Sequence, residues 1–149
     1  MVYRALRRAD VPALKEPAGL MRSDGKRPDG LTLVPWQRGR CLTWDVTVVD
    51  TFAASYLAAN SFAAGGASAA AVARKSSKYA GLASSYIFMP IALETLGTIN
   101  PEAIDFFVEL GHRISAISND SRETSFLFQR LSILVQRFNA VAFRGSFVV

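Results

Sequence analysis

Cysteine and histidine are almost absent: Cys41 and His112 are each the only residue of their kind in the 149-residue chain. One thiol cannot close an intramolecular disulfide, so the fold draws nothing from cross-links and nothing points to an oxidising compartment. A single histidine without a second His or Cys at ligand spacing argues against a zinc site, and His112 reads as a surface or satisfied side chain. A long, strongly apolar run is also missing. Residues 51–73 carry no charge, yet they are poor in Leu, Ile and Val, and Ser55-Tyr56-Leu57-Ala58-Ala59-Asn60-Ser61 is too small and polar for a convincing transmembrane helix. The N-terminus, with Arg4, Arg7, Arg8 and Asp10, lacks the apolar stretch of a signal peptide. The expectation is a soluble, intracellular protein without a membrane partner.

What is present is a chain half of whose residues are hydrophobic, long enough to bury one core without staples, so one globular domain is expected. The net charge of +5 is uneven: residues 1–40 hold nine Lys/Arg against four Asp/Glu, and residues 41–149 hold eight of each. A basic region attracts polyanions by releasing their counterions, which makes nucleic acid the leading partner.

The basic opening to Asp10 reads as a short helix or a disordered lead, after which Pro12 and Pro17 interrupt regular structure. Gly30-Leu31-Thr32-Leu33-Val34 is short and rich in strand formers, and Cys41-Leu42-Thr43-Trp44-Asp45-Val46-Thr47-Val48-Val49 is the clearest strand, with Gln37-Arg38-Gly39-Arg40 as the turn of a hairpin. Ala-rich helices are expected near 52–62 and 67–83, broken at Gly65-Gly66, and a further strand over 87–92, which Pro90 confines to an edge or bulge. Asn100-Pro101-Glu102 starts a helix with Ile104, Phe107, Val108 and Leu110 on its apolar face, and Asp120-Ser121-Arg122-Glu123 starts another carrying Leu127, Leu131, Leu134 and Phe138 on one stripe. The fold class is α/β (α+β): a small mixed sheet around a central hairpin, flanked by Ala-rich helices and two C-terminal helices.

Asp29 opens the first hairpin strand and Asp45 lies sixteen positions on, in the middle of the second. A hairpin brings two such carboxylates together, and hard divalent cations such as Mg²⁺ are commonly held by one or two carboxylates plus waters and phosphate oxygens. Strand alternation places Asp45 and Thr47 on the face away from Leu42, Trp44, Val46 and Val48. On the following helix, Lys75 and Tyr79 share one face and Arg74 and Lys78 another, so one lysine, Lys75 or Lys78, can reach the carboxylates and orient water or offset charge on a reacting phosphate. Glu94, Asp105 and Glu109 read as solvated charges, and Trp36 and Trp44 as core.

In this order, Lys26-Arg27-Pro28-Asp29, Trp44-Asp45-Val46-Thr47-Val48 and Lys75-Ser76-Ser77-Lys78-Tyr79-Ala80-Gly81-Leu82 resemble the motifs of the PD-(D/E)xK nuclease superfamily. They are most similar to the restriction-like endonuclease domains at the C-terminal end of site-specific non-LTR retrotransposon polyproteins. In those domains the second acidic motif resembles Asp-Val-Thr-Val, and the lysine has moved to the following helix; here Thr47 stands where the superfamily pattern places it. The resemblance implies an endonuclease core over 22–97 between a basic lead (1–20) and a C-terminal helical extension (98–149), the chain being a fragment or isolated copy of such a polyprotein. It also implies Mg²⁺ or Mn²⁺ on Asp29 and Asp45, with Lys75 or Lys78 completing the catalytic set. Arg27, Arg38 and Arg40 are the candidate contacts to DNA. Element RNA or an associated reverse transcriptase would be further partners, and the nucleus the place of action. An alternative is a catalytically inactive, nucleic-acid-binding remnant. A third reading is an interaction domain built on the C-terminal helices.

Overall fold

The computed structural model describes residues 1–20, 26–50 and 65–146, so the helix expected near 52–62 lies outside the described residues. The N-terminal segment is helix α1 (Val2–Arg8), and it is part of the core. Val2, Ala5 and Leu6 fall on one face at helical spacing and are buried, while Arg7 and Arg8 sit in the last turn, where the helix dipole favours cations. Between Pro12 and Pro17 runs a three-residue strand, β1 (Ala13–Lys15), too short to leave a periodic signature in the sequence.

Strand β2 (Gly30–Thr32) pairs antiparallel with β1 on one side and with β3 (Leu42–Val49) on the other. The β2–β3 connection ends in a tight turn at Gln37–Arg40, where Arg38 and Gly39 take φ of 51° and 70°. Two successive positive φ values give the mirror-image turn whose twist matches that of the strands. Arg113 clamps this hairpin from behind: its guanidinium lies 3.6 Å from the centre of the Trp36 ring and donates to the Trp36 carbonyl. At Gly30, the residue opposite Trp44, a Cβ would lie 2.0 Å from Trp44 Cζ2, so only glycine lets the indole cross the β2 backbone.

Helix α2 (Gly66–Lys78) and a short 3₁₀ turn (Ala80–Leu82) lead to β4 (Ile87–Glu94), which lies parallel to β3 along its whole length. The sheet order is β1-β2-β3-β4, so β4 is an edge strand, as Pro90 requires. That edge is closed by the chain that follows: Glu94 N–H donates to the Thr98 carbonyl at 2.8 Å, and a side chain continues the pairing. Asn100 accepts from the Ala92 N–H at 2.8 Å and donates to the Pro90 carbonyl at 2.9 Å, pairing the outer rim of β4 as a neighbouring strand would. Asn100 also stands at the N-cap of helix α3 (Pro101–Ser118), but its side chain makes no capping hydrogen bond because it is committed to β4.

The sheet is covered on both faces. Thr43, Asp45, Thr47 and Val49 alternate toward α2, where Val49, Ala67, Ala71 and Ala92 form a small cluster; alanines at i and i+4 let the helix lie close to the sheet. On the other face Leu42, Trp44, Ile91 and Leu93 join α1, α3 and helix α4 (Glu123–Ser146) in the main core around Phe106, Phe107, Leu110, Ile114, Leu127 and Leu131. Each fully buried Leu, Ile or Phe there contributes on the order of 1.5–3 kcal/mol. Phe106, which the pattern of α3 left unassigned, is buried, and Ile104 is 39% exposed instead. In α4 the apolar stripe divides: Leu127, Leu131 and Val135 enter the core, whereas Leu134 and Phe138 stay partly exposed. Asp120 caps the approach to α4 by accepting from the Arg122 N–H, but Glu123 turns back to α1 and meets Arg8 at 2.7 Å. Among the described residues no helix is long and apolar enough to cross a membrane.

Candidate active site

The site forms where β2 stops pairing with β3. Gly30 faces Trp44 and Lys15 faces Gly30, so Glu16, Asp29 and Asp45 are the next positions outward on three neighbouring chains. The backbone keeps them in a row: Glu16 N–H donates to the Asp29 carbonyl at 2.7 Å, and Asp29 N–H donates to the Trp44 carbonyl at 2.9 Å. Beyond this row the β2-side rim of β3 carries an open N–H at Val46. The Asp29 carboxylate fills that place, its Oδ2 accepting from Val46 N–H at 2.7 Å. One oxygen therefore anchors the side chain to β3.

Asp45 is buried and points to the α2 face of the sheet, where Lys75 reaches it, Nζ lying 2.6 Å from Oδ2. The approach is close but off the hydrogen-bonding direction, and Asp45 Oδ2 has no aligned hydrogen bond. Two residues along the same strand face, Thr47 Oγ1 is likewise buried without a partner. A buried hydroxyl left in this way costs roughly 1–3 kcal/mol unless something donates or coordinates to it. The Asp45 carboxylate and the Thr47 hydroxyl, beside a second carboxylate, form a set of hard donors suited to a divalent cation that keeps waters for its remaining positions. Among the described residues no group of three or more His, Cys, Asp or Glu side chains converges on a metal position, so any ion here would rest on the two-carboxylate pattern.

The electrostatics couple these groups. Asp29 is exposed at its rim, yet the wall of an adjoining cavity removes water from its carboxyl, and this desolvation is the main influence raising its pKa above the ordinary value. The Val46 N–H bond opposes the rise, the negative charges of Asp45 and Glu16 add to it, and the positive charge of Lys75 again opposes it. The cavity, about 260 Å³, is lined by Tyr3, Trp44, Val46, Ile91 and Phe107 and has Asp29 and Lys15 at its polar edge.

Of the residues singled out by sequence, Asp29, Asp45 and Lys75 are brought together. Lys78 lies one turn along with its ammonium 4.9 Å from the centre of the Tyr79 ring, and Tyr79 itself is buried against Phe88. The arginines expected at DNA are partly engaged within the protein: Arg27 pairs with Glu16 at 3.3 Å, Arg40 donates to the Ala83 carbonyl, and Arg38 is exposed at the hairpin tip. Glu94 corrects an expectation. It is 1% exposed, not solvated, and its Oε2 accepts from Ser68 N–H in the first turn of α2, fixing the helix that carries Lys75 at an end where the dipole favours an anion. Glu16, one residue past the three-residue β1 and just before Pro17, has no periodic signal in the sequence that would place it beside Asp29. No protein-family model, curated protein or solved structure matches the chain.

Proposed function

We propose that this chain is a Mg²⁺- or Mn²⁺-dependent endonuclease that hydrolyses a DNA phosphodiester, of the restriction-like kind associated with non-LTR retrotransposons. One observation carries the reading: Asp29 and Asp45 occupy adjacent outward positions on neighbouring strands, and the helix after the second strand returns Lys75 to within 2.6 Å of Asp45. A structural ion pair needs one acid and one base. Here a second carboxylate is pinned beside the pair by a backbone N–H, and the nearby Thr47 Oγ1 is buried without a hydrogen-bond partner.

A divalent ion held by Asp29 and Asp45 supplies charge to polarise a phosphate oxygen. The chain's own groups do the rest. Val46 N–H fixes the Asp29 carboxylate so that its free oxygen points in one direction, and Trp44, packed over Gly30, sets the spacing of the two strands. Lys75 places a compact cation beside the reacting phosphate, where it offsets developing negative charge and orients an attacking water. Glu94, by holding the first turn of α2, positions that lysine. Cleavage would leave a 3′-hydroxyl able to prime reverse transcription, with action in the nucleus and element RNA or an associated reverse transcriptase as further partners.

Nicking of supercoiled plasmid tests the proposal. Wild-type protein cuts in Mg²⁺ and not in chelator, Asp45→Asn and Lys75→Ala do not cut, and Lys78→Ala does. Cutting by Asp45→Asn at the wild-type rate overturns the metal site. DNA binding in chelator with no cleavage by any form under Mg²⁺ or Mn²⁺ identifies the inactive binding remnant.

A further inference from the structure

We propose that the groove between α1 and α4 is a track for a DNA phosphate backbone, in which Arg4, Arg8, Arg130 and Arg137 hold the strand that reaches Asp29. The inference rests on the nuclease reading and names the surface by which the substrate is held. The groove, about 580 Å³, is lined by these four arginines with Met1 and Leu134 at its floor. The cavity beside Asp29 shares Met1 and Leu134 with it, so the two depressions adjoin.

The arginines are arranged as two facing rows. Arg4 and Arg8 are one turn apart on α1; Arg130 and Arg137 are seven residues apart on α4, which is about 10.5 Å along a helix. Arg8 shares its guanidinium with Glu123, while among the described residues no acid pairs with Arg4, Arg130 or Arg137, all of them exposed. Guanidinium groups match phosphate oxygens in geometry as well as charge. Two rows of forks across a concave groove fit a chain of phosphates passing between them.

The test is fluorescence anisotropy with a labelled DNA duplex, in EDTA, over about 50–200 mM salt, where each phosphate contact adds roughly 0.9 to the slope of log affinity against log salt. Arg130→Ala/Arg137→Ala keeps the helix, because alanine is the best helix former, and flattens the slope by about 1.8. Arg122→Ala, which removes a charge from the turn just before that helix, beside Asp120, leaves it nearly unchanged. An unaltered slope in the double variant overturns the track, and so does wild-type protein that binds phosphatidylserine vesicles but not DNA at matched salt. The two proposals fail separately. Cleavage in Mg²⁺ with an unaltered slope removes the track and leaves the nuclease, while a flattened slope without cleavage by any form removes the nuclease and leaves the track.

Discussion

Replacing Lys75 by Met tests whether the Asp45–Lys75 contact is a structural ion pair or part of a metal position. The side chain of Asp45 is only 6% exposed and that of Lys75 27%, so the substitution strands a buried carboxylate while removing a cation that still touches water. Breaking a buried pair costs about 3–5 kcal/mol, and the partial exposure of the lysine brings the expected loss to about 2–4 kcal/mol in EDTA. Asp45→Asn leaves a lysine that can turn to solvent, with a loss of about 1 kcal/mol, and the double variant recovers about 1–3 kcal/mol relative to the sum of the singles. Divalent metal adds the discriminating arm. With no ammonium competing for Asp45, Lys75→Met should gain more from Mg²⁺ than wild type does. At a hundred times Kd the gain is about 2.7 kcal/mol, or about 5–10 °C in Tm for a domain of this size. Asp45→Asn should gain almost nothing. Urea unfolding with and without Mg²⁺ measures all four proteins. Single-variant losses that add within about 0.5 kcal/mol would show that the pair is not coupled, and an Mg²⁺ shift in Asp45→Asn equal to that of wild type would refute the carboxylate assignment.

Asn100→Ala should cost about 2–4 kcal/mol by urea unfolding, because it leaves the Ala92 N–H and the Pro90 carbonyl without partners in a buried place; a loss below about 0.5 kcal/mol would mean that water or a backbone shift replaces both bonds. Gly30→Ala should lose about 1–3 kcal/mol or more and alter tryptophan fluorescence, since its Cβ would lie 2.0 Å from Trp44 Cζ2. Hydrogen bonding from Arg8 holds the Glu123 carboxyl below its ordinary 4.5, so Glu123 contributes stability that is complete above that value and disappears as pH falls through its folded pKa. Stability of Glu123→Gln, measured from about pH 6 to pH 3, should therefore decline less steeply than that of wild type, and parallel curves would reject the assignment. Asp29, with its raised pKa, acts in the opposite sense in both proteins, since its ionised form is disfavoured in the fold and acid relieves it.

The sheet and its hairpin were legible because β3 alternates over eight residues and because Gln37-Arg38-Gly39-Arg40 is a turn by composition. Strand β1 was not. Three residues between two prolines carry no period, and only their pairing with Gly30–Thr32 makes them a strand. The same limit applies to Asn100, whose N-cap position was readable while its engagement with β4 depends on a neighbour eight to ten residues back. Glu94 misled for a related reason: a charged residue ending an apolar strand looks solvated unless one knows that the N-terminus of α2 lies over it.

The candidate site was more legible than the surface around it, and the cause is physical. Asp45 and Lys75 are placed by regular elements and Asp29 stands one residue before β2, so spacing and alternation bring them to one region before any tertiary contact is known. Charge, in contrast, was counted along the chain, and the excess in residues 1–40 directed attention to Arg27, Arg38 and Arg40. Folding redistributes that excess: Arg27 turns to Glu16 and Arg40 to a carbonyl, while Arg4 and Arg8 meet arginines of α4 from the electrically balanced C-terminal part. A basic surface assembled from two helices more than a hundred residues apart leaves no mark in local composition. The arginines of α4 are visible in sequence only as a seven-residue repeat at 130, 137 and 144, which becomes a row once the helix forms. If that row carries the substrate backbone, α4 holds the core through Leu127, Leu131 and Val135 on one face and the ligand through its arginines on another.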